Sequence, residues 1–215
     1  MKGLFITFEG PDGSGKSTQI KKMANLLETK RLPYILTREP GGTRISDKIR
    51  EIILDPEHNE LTEETEILLY ASSRAQHVQE KIIPALNNGK IVLCDRFMDA
   101  SIAYQGYGLG KDLQTIKSIN QFASQGLEPD RTYFIDVTPE TGRKRMVKRA
   151  GGSHDLDRIE LREKSYHQRV REGFMTIYHE NSNRICYIDG EKDLNQVFDT
   201  IVNDFFAYYS HQDKI

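Results

Sequence analysis

A glycine-rich segment near the amino terminus has the residue types and spacing of a phosphate-binding loop. Residues 10–17 fit the pattern G-x-x-x-x-G-K-[ST]. In such a loop backbone N–H groups converge on a phosphate, and the amino terminus of the following helix adds about half a positive charge. Lys16 can reach the β- and γ-phosphate oxygens, and the Ser17 hydroxyl can bind Mg²⁺. The residues expected to bind ATP are Gly10, Pro11, Asp12, Gly13, Ser14, Gly15, Lys16, Ser17 and Thr18.

Asp12 is the unusual member of this loop. A carboxylate beside a phosphate site repels phosphate, so we expect Asp12 to face a second substrate or a water molecule on the metal. The alternative is an ordinary solvated loop aspartate.

Charged residues follow the next two predicted strands at the points where they end. Arg38 follows the second strand, and Asp95 and Arg96 follow the third. The carboxyl ends of parallel strands form the ligand-binding edge of an open α/β sheet, so these arginines could hold a second anionic substrate. Asp95 occupies the place of the acidic residue that holds Mg²⁺, directly or through water, in phosphate-binding-loop enzymes. The alternative is that Arg38 and Arg96 are rim charges paired with Glu39 and Asp95.

Five short apolar runs alternate with longer stretches that have a helical pattern. Such continuously apolar strands indicate a parallel sheet covered by helices on both faces. We therefore predict a single α/β domain over residues 1–215 with a five-stranded parallel sheet. The predicted strands are 4–8, 34–37, 91–94, 133–137 and 185–188, and the predicted helices are 16–29, 62–86, 112–124, 159–179 and 193–209.

A basic segment at about 143–158 interrupts this pattern. It contains a Gly-Gly-Ser-His stretch and few apolar residues, so it predicts an exposed flap. Flaps near the carboxyl ends of parallel strands often act as mobile lids.

The composition of the chain limits the partners and the cellular location that the sequence predicts. The chain has 215 residues, 37% of them hydrophobic, and a net charge of −2, which gives no long-range attraction to nucleic acid or anionic lipid. We expect neither as a partner, and the apolar amino-terminal run is too short for a signal sequence or membrane span. Cys94 and Cys186 lie in apolar runs without a nearby cysteine, which predicts core residues and a cytoplasmic protein.

Two classes of phosphate-binding-loop protein remain: nucleotide switches or motors, and small-molecule kinases. A GTPase needs a guanine-reading N-K-x-D motif, which the sequence lacks, and a transporter or helicase ATPase needs further subdomains. A small-molecule kinase needs cations for a second anionic substrate, which the strand ends offer. The remaining alternative from another class is a non-catalytic nucleotide-binding module.

Four motifs together resemble the thymidylate kinases over essentially the whole chain. They are FEGPDGSGKST at 8–18, TREPGGT at 37–43, RAQH at 74–77 and DRFMDASIAYQG at 95–106. The resemblance implies transfer of the γ-phosphoryl group of ATP to dTMP, giving dTDP, in a homodimer of the nucleoside monophosphate kinase fold with a mobile lid. The nearest alternative is a kinase for another monophosphate, such as UMP, GMP or AMP.

The resemblance also implies roles for residues that contact dTMP. Arg38 and Arg96 would bind its phosphate, Asp12 would lie near the sugar hydroxyl and the metal, and Tyr104 would crowd the ribose 2′ position.

Four more residues would form the base site. Arg74 would bond the thymine edge, and Tyr70, one helical turn earlier, would stack on the base where the family commonly has Phe. Ser101 and Gln105 would meet polar base atoms. Without the resemblance, Tyr70 and Tyr104 are ordinary half-buried aromatics.

The basic segment resembles the arginine-bearing lid of the bacterial type, whose phosphate-binding loop lacks an arginine, as here. Arg145 and Arg149 are one helical turn apart and would reach the transferring phosphate, so with Lys16 and Arg96 they are the expected catalytic residues. The alternative is a solvated basic helix end.

Overall fold

A five-stranded parallel sheet forms the centre of the computed structural model, which describes residues 3–151 and 156–212. Its strands are β1 (Leu4–Glu9), β2 (Tyr34–Arg38), β3 (Ile91–Asp95), β4 (Arg131–Asp136) and β5 (Ile185–Asp189), in the order β2-β3-β1-β4-β5. β1 is central and buried along its whole length, which explains an apolar run without alternation. The predicted parallel sheet is confirmed.

Helices connect the strands and cover both faces. They are α1 (Lys16–Thr29), α2 (Arg44–Leu54), α3 (Glu63–His77), α4 (Ile83–Asn87), α5 (Met98–Ser101), α6 (Leu113–Ser124), α7 (Pro139–Ala150), α8 (Lys164–Glu180) and α9 (Leu194–Gln212), with π-helical segments at Val78–Ile82 and Ile102–Gly108. The predicted helix 62–86 is the continuous run from α3 through α4. In the described ranges, none of these helices is long and apolar enough to cross a membrane.

Apolar packing on the two faces holds the helices in place. On one face, Met23 of α1 and Phe205 of α9 belong to the same buried cluster as Ile6 of β1. On the other, Phe174 of α8 stacks on Phe134 of β4, with ring centroids 5.4 Å apart. Both layers therefore anchor to the sheet, which leaves its carboxyl edge to the loops.

The prediction of an exposed flap at 143–158 is wrong for the parts that the structure describes. Residues 143–150 belong to α7, where Met146 is buried, and Leu156 is only 1% exposed. Arg158 donates to the backbone carbonyl of Ile53 at 2.8 Å. Polar contacts and two apolar anchors therefore pack this segment against the body. The remainder of the predicted flap, 152–155, lies outside the described residues.

Both cysteines are free thiols on strands that are not neighbours. Cys94 on β3 is fully buried, as predicted for a core residue, and burial raises the pKa of its thiol well above the ordinary value. Cys186 is only partly buried because β5 is an edge strand, and burial raises its pKa to about 11. Both thiols are therefore protonated and unreactive at neutral pH.

Candidate active site

The phosphate-binding loop joins the central strand β1 to α1. Gly10 and Gly13 have φ angles of 139° and 76°, and a Cβ atom at either would collide with a backbone carbonyl, that of Ile135 or of Gly142. Only glycine fits such positions. Because α1 begins at Lys16, its free N–H groups face the loop, as an anion site requires.

The Lys16 ammonium lies inside this loop and not on the surface. Its Nζ donates to the carbonyl oxygens of Gly10 at 3.0 Å and Pro11 at 2.9 Å. Burial and, to a smaller extent, the nearby charge of Arg96 lower the pKa of Lys16 to about 8, although the carboxylate of Asp95 opposes this shift. The loop thus holds a cation at its centre.

Two oxygen-bearing side chains meet at the mouth of the loop. Ser17 Oγ donates to Asp95 Oδ2 at 2.7 Å. No group of three or more His, Cys, Asp or Glu side chains that could hold a metal occurs among the described residues. Mg²⁺ in phosphate sites takes one or two protein oxygens and completes its shell with water and phosphate oxygens. Ser17 and Asp95 therefore fit Mg²⁺ bound with a nucleoside triphosphate.

Asp12, Arg96 and Tyr104 form a hydrogen-bonded triangle beside the loop. Arg96 Nη2 donates to Asp12 Oδ1 at 2.6 Å and to the Tyr104 hydroxyl at 2.9 Å, and that hydroxyl donates to Asp12 Oδ2 at 2.7 Å. Burial alone would raise the pKa of Asp12, but the charges of Arg96 and Lys16 outweigh it and lower the pKa to about 2. Asp12 is therefore not a solvated loop aspartate.

The backbone of Arg96 is strained. Its φ of 69° lies in the left-handed region, which costs a non-glycine residue about 1–2 kcal/mol. A second hydrogen bond, from Nη1 to the Gly10 carbonyl at 3.0 Å, ties its guanidinium to the phosphate-binding loop. Strain of this kind is typical of functional residues that the surrounding structure holds in place.

Arg38 lies at the rim of the site and is more exposed than Arg74 and Arg96. Its Nη2 pairs with Asp47 Oδ1 at 3.0 Å, and its side chain is 54% exposed. The alternative pairings, Arg38 with Glu39 and Arg96 with Asp95, do not occur among the ion pairs of the described residues. Arg38 is therefore free to change partners when an anion enters.

The structure brings all four predicted base-site residues together in one inner cavity. Tyr70, Arg74, Ser101 and Gln105 line it with the triangle residues Asp12, Arg96 and Tyr104. The other lining residues are Glu39, Pro40, Arg50, Leu54, Phe97, Ala100, Asp157 and Ile159.

Arg74 is held rigidly in the wall of this cavity, only 2% exposed. Its Nε donates to Glu39 Oε2 at 2.7 Å, its Nη1 to Ser101 Oγ at 3.0 Å and to Asn120 Oδ1, and its Nη2 to the Phe97 carbonyl at 3.0 Å. Guanidinium carries five N–H donors, so one on Nη2 stays available in the described contacts. The arginine can donate one directed hydrogen bond to a ligand.

A larger cavity of about 700 Å³ covers the phosphate-binding loop and opens onto the inner one. Arg38, Asp95, Arg145 and Arg149 line it as well. The residues that border both cavities are Asp12, Glu39, Arg50, Arg96 and Asp157. The two cavities therefore meet where the acidic and basic groups converge.

The two predicted lid arginines have different partners. Arg145 donates from Nη1 and Nη2 to the Gly190 carbonyl, at 3.2 and 3.1 Å, in the loop after β5. Arg149 pairs through Nη2 with Glu160 Oε1 at 2.6 Å while its side chain stays 65% exposed. Arg145 is therefore bonded to a loop outside its own helix, whereas Arg149 remains largely exposed to solvent.

Three residues at the junction of the cavities were missed from the sequence. Glu39 stands inside the TREPGGT motif, directly after Arg38, which was a usable signal. Arg50 donates to the Pro40 carbonyl at 3.0 Å and had no signal beyond its charge. Asp157 was missed because it lies in the segment predicted to be an exposed flap. Burial raises its pKa to about 6.

Comparisons with known proteins identify the family of the chain. The family model described as thymidylate kinase matches residues 8–201. A thymidylate kinase of Exiguobacterium sibiricum is 49% identical over 215 residues, covering 100% of both chains, and one of a Geobacillus species is 48% identical over 198 residues, covering 92% of this chain and 93% of its relative. The crystal structure of thymidylate kinase from Ehrlichia chaffeensis superposes with a TM-score of 0.76 at 34% identity, covering 95% of this chain and 99% of that one. The chain belongs to the thymidylate kinase family.

Proposed function

We propose that this enzyme transfers the γ-phosphoryl group of ATP to dTMP, giving dTDP and ADP, at the junction of the two cavities. The observation that carries the proposal is that Asp12 and Arg96 border both cavities. A donor bound on the phosphate-binding loop and an acceptor in the inner cavity would bring their phosphates together there. Such positioning supplies much of the catalysis in phosphoryl transfer.

The acceptor needs charge neutralisation more than a base. A phosphate monoester has a second pKa of about 6, so dTMP is largely dianionic at neutral pH and already nucleophilic. Repulsion between two anions is the main obstacle, which Arg96 and Arg38 would reduce on the acceptor side. Tyr104, fixed by Asp12 and Arg96, would occupy the space of a ribose 2′-hydroxyl and favour deoxyribose.

The donor side would combine Lys16 with a metal ion. The proposal includes Mg²⁺, which Ser17 and, directly or through water, Asp95 would hold with the triphosphate. When bound, the ion supplies charge neutralisation on the β- and γ-phosphate oxygens. Lys16 would bind the same oxygens from inside the loop, and Arg145 and Arg149 would approach from α7.

The base site separates dTMP kinase activity from the alternatives. Arg74 would donate its free N–H to the O4 carbonyl of thymine, and Tyr70 would stack on the ring. A non-catalytic module would have no need for the Lys16, Ser17, Asp95 and Arg96 constellation. A coupled ADP-release assay with dTMP, UMP, GMP and AMP tests the proposal, and activity with another monophosphate in preference to dTMP would contradict it.

We expect Arg74→Lys to raise the KM for dTMP about 10–100-fold and to leave the KM for ATP nearly unchanged. Lysine keeps a positive charge beside the buried Glu39 but cannot reproduce the directed fork of guanidinium. Steady-state kinetics with each substrate varied in turn measures both constants. Arg44→Lys, at an exposed position on α2, is the matched control. An effect confined to ATP would mean that the base site is misplaced.

The proposal extends to a homodimer formed through the layer of α2, α3 and α6. α3 packs between the other two helices. Four large apolar side chains on this layer are exposed: Ile45, Ile52, Leu68 at 56% and Phe122 at 87%. Exposed apolar side chains gathered on adjacent helices are typical of a protein interface, and a second copy would cover the same patch on both subunits.

Phe122→Glu should convert the dimer to a monomer, because it places a charge on the most exposed apolar side chain of this layer. Size-exclusion chromatography with light scattering measures the mass. Gln121→Glu, one residue away and also exposed, should leave the dimer intact. A wild-type chain that elutes as a monomer, or a dimeric Phe122→Glu variant, would contradict the proposed interface.

Three further expectations remain part of the proposal. The chain would act as one domain over residues 1–215, and the segment at about 143–158 would open and close over the donor. The free, unreactive thiols Cys94 and Cys186 support a cytoplasmic location.

A further inference from the structure

A buried carboxylate, Glu66, lies behind the wall of the inner cavity. It is fully buried on α3. Its Oε2 accepts from Arg158 Nη2 and Arg162 Nη2, both at 2.6 Å, and its Oε1 accepts from Gln105 Nε2 at 3.2 Å. Paired with two arginines, Glu66 is a carboxylate, and a carboxylate can only accept hydrogen bonds.

Gln105 is the member of this network that reaches the cavity. It is 2% exposed and lines the inner cavity from the π-helical segment after α5. An amide can present either its NH₂ group or its carbonyl, but Glu66 requires the NH₂ group on its own side. The carbonyl Oε1 is then directed away from Glu66, and within the described residues this buried oxygen has no hydrogen-bond partner. Such an acceptor is costly unless a ligand donor satisfies it.

We infer that Glu66 is a positioning residue that locks the Gln105 amide with its carbonyl toward the base, and so selects pyrimidines that carry N3–H. The inference rests on the proposed dTMP kinase activity. Thymine and uracil present an N–H donor at N3, which the carbonyl can accept. Cytosine presents a lone pair there, which would face the carbonyl oxygen with no proton between them. The polarity of the site would therefore reject cytosine and not distinguish thymine from uracil.

The two arginines make the consequence of one substitution predictable. In Glu66→Gln, Arg158 and Arg162 still need an acceptor, so the new side chain must turn its carbonyl toward them. Its NH₂ group then faces Gln105, which can pair with it only by turning its own carbonyl inward. The Gln105 amide reverses and presents NH₂ to the cavity. A change behind the wall thereby inverts the hydrogen-bond polarity of the base site.

The test measures kcat/KM for dTMP, dUMP and dCMP with the wild type and Glu66→Gln. We expect kcat/KM for dTMP and for dUMP to fall about 10–100-fold together while that for dCMP does not fall, so that the preference for dTMP over dCMP drops by about the same factor. The ratio of kcat/KM for dTMP to kcat/KM for dUMP should stay within about twofold of its wild-type value, and so should the KM for ATP. Glu64→Gln, the same exchange at an exposed position of α3, is the matched control.

Equal losses for all three monophosphates in Glu66→Gln would overturn the inference, because a merely structural role predicts them. If thermal unfolding shows that Glu66→Gln does not fold, Gln105→Leu decides. This substitution removes the carbonyl at similar side-chain volume, so kcat/KM for dTMP and dUMP should fall relative to kcat/KM for dCMP. Equal losses for all three monophosphates would again overturn the inference. A wild-type enzyme inactive on dTMP would instead contradict the proposed function.

Discussion

Replacing Lys16 with alanine should lower kcat/KM for ATP by about 10²–10³-fold or more, because it removes the cation at the centre of the phosphate-binding loop. In the structure this ammonium satisfies two loop carbonyls, those of Gly10 and Pro11. Its loss therefore removes both the charge that would bind the β- and γ-phosphate oxygens and a brace of the loop itself. Steady-state kinetics and circular dichroism on the purified variant separate activity from folding.

Lys21→Ala provides the matched control, since Lys21 lies on the exposed face of the same helix. It should retain wild-type activity. Unchanged turnover in a folded Lys16→Ala variant would overturn the assignment of the ATP site to this loop.

Arg149→Ala should lower kcat by about 10³-fold or more with little change in either KM, the behaviour of a group that acts only in the transition state. Lys16 is the only cationic side chain of the phosphate-binding loop, so another cation must stabilise the charge on the moving phosphoryl group. Arg149 lines the larger cavity over the phosphate-binding loop and is largely exposed. Among the described residues its one ion-pair partner is Glu160, and a bound phosphate could replace that partner. Single-turnover kinetics would isolate the chemical step.

Arg145→Ala should behave differently, raising mainly the KM for ATP. Arg145 contacts the Gly190 carbonyl in the loop after β5 and lines the larger cavity over the phosphate-binding loop. We therefore expect it to bind ATP equally in the ground and transition states. Lys148→Ala, exposed on the same helix, is the control. A pure KM effect in Arg149→Ala, or no effect at all, would return Arg149 to an ordinary surface role.

Much of the scaffold follows from local pattern. The buried strands lack alternation because both faces of the sheet are covered, so five apolar runs were enough to predict five parallel strands. The prediction was wrong at α7. This helix buries only a few apolar side chains, such as Met146, so its sequence has the pattern of an exposed flap. What packs this region includes bonds such as Arg143 to the Glu160 carbonyl, whose spacing has no period to recognise.

In the candidate site, too, some residues could be predicted from the sequence and others could not. Arg38, Asp95 and Arg96 stand at strand ends, a position readable from one sequence. The groups that orient the site are remote: Asn120, which holds Arg74, is 46 residues away, and Gln105 is 39 residues from Glu66. Only the folded chain brings them together, so sequence reasoning predicted residues that line the two cavities but not the residues that support them.

Transfer of radioactive phosphate from ATP labelled at the γ-position is the measurement that tests the central claim most directly. Purified enzyme, Mg²⁺ and labelled ATP are incubated with dTMP or with each of dCMP, UMP, GMP and AMP, and products are separated by chromatography. We expect the label to move into dTDP with dTMP as acceptor, and into little else. Label recovered mainly as inorganic phosphate, or on another nucleoside diphosphate in preference to dTDP, would contradict the account.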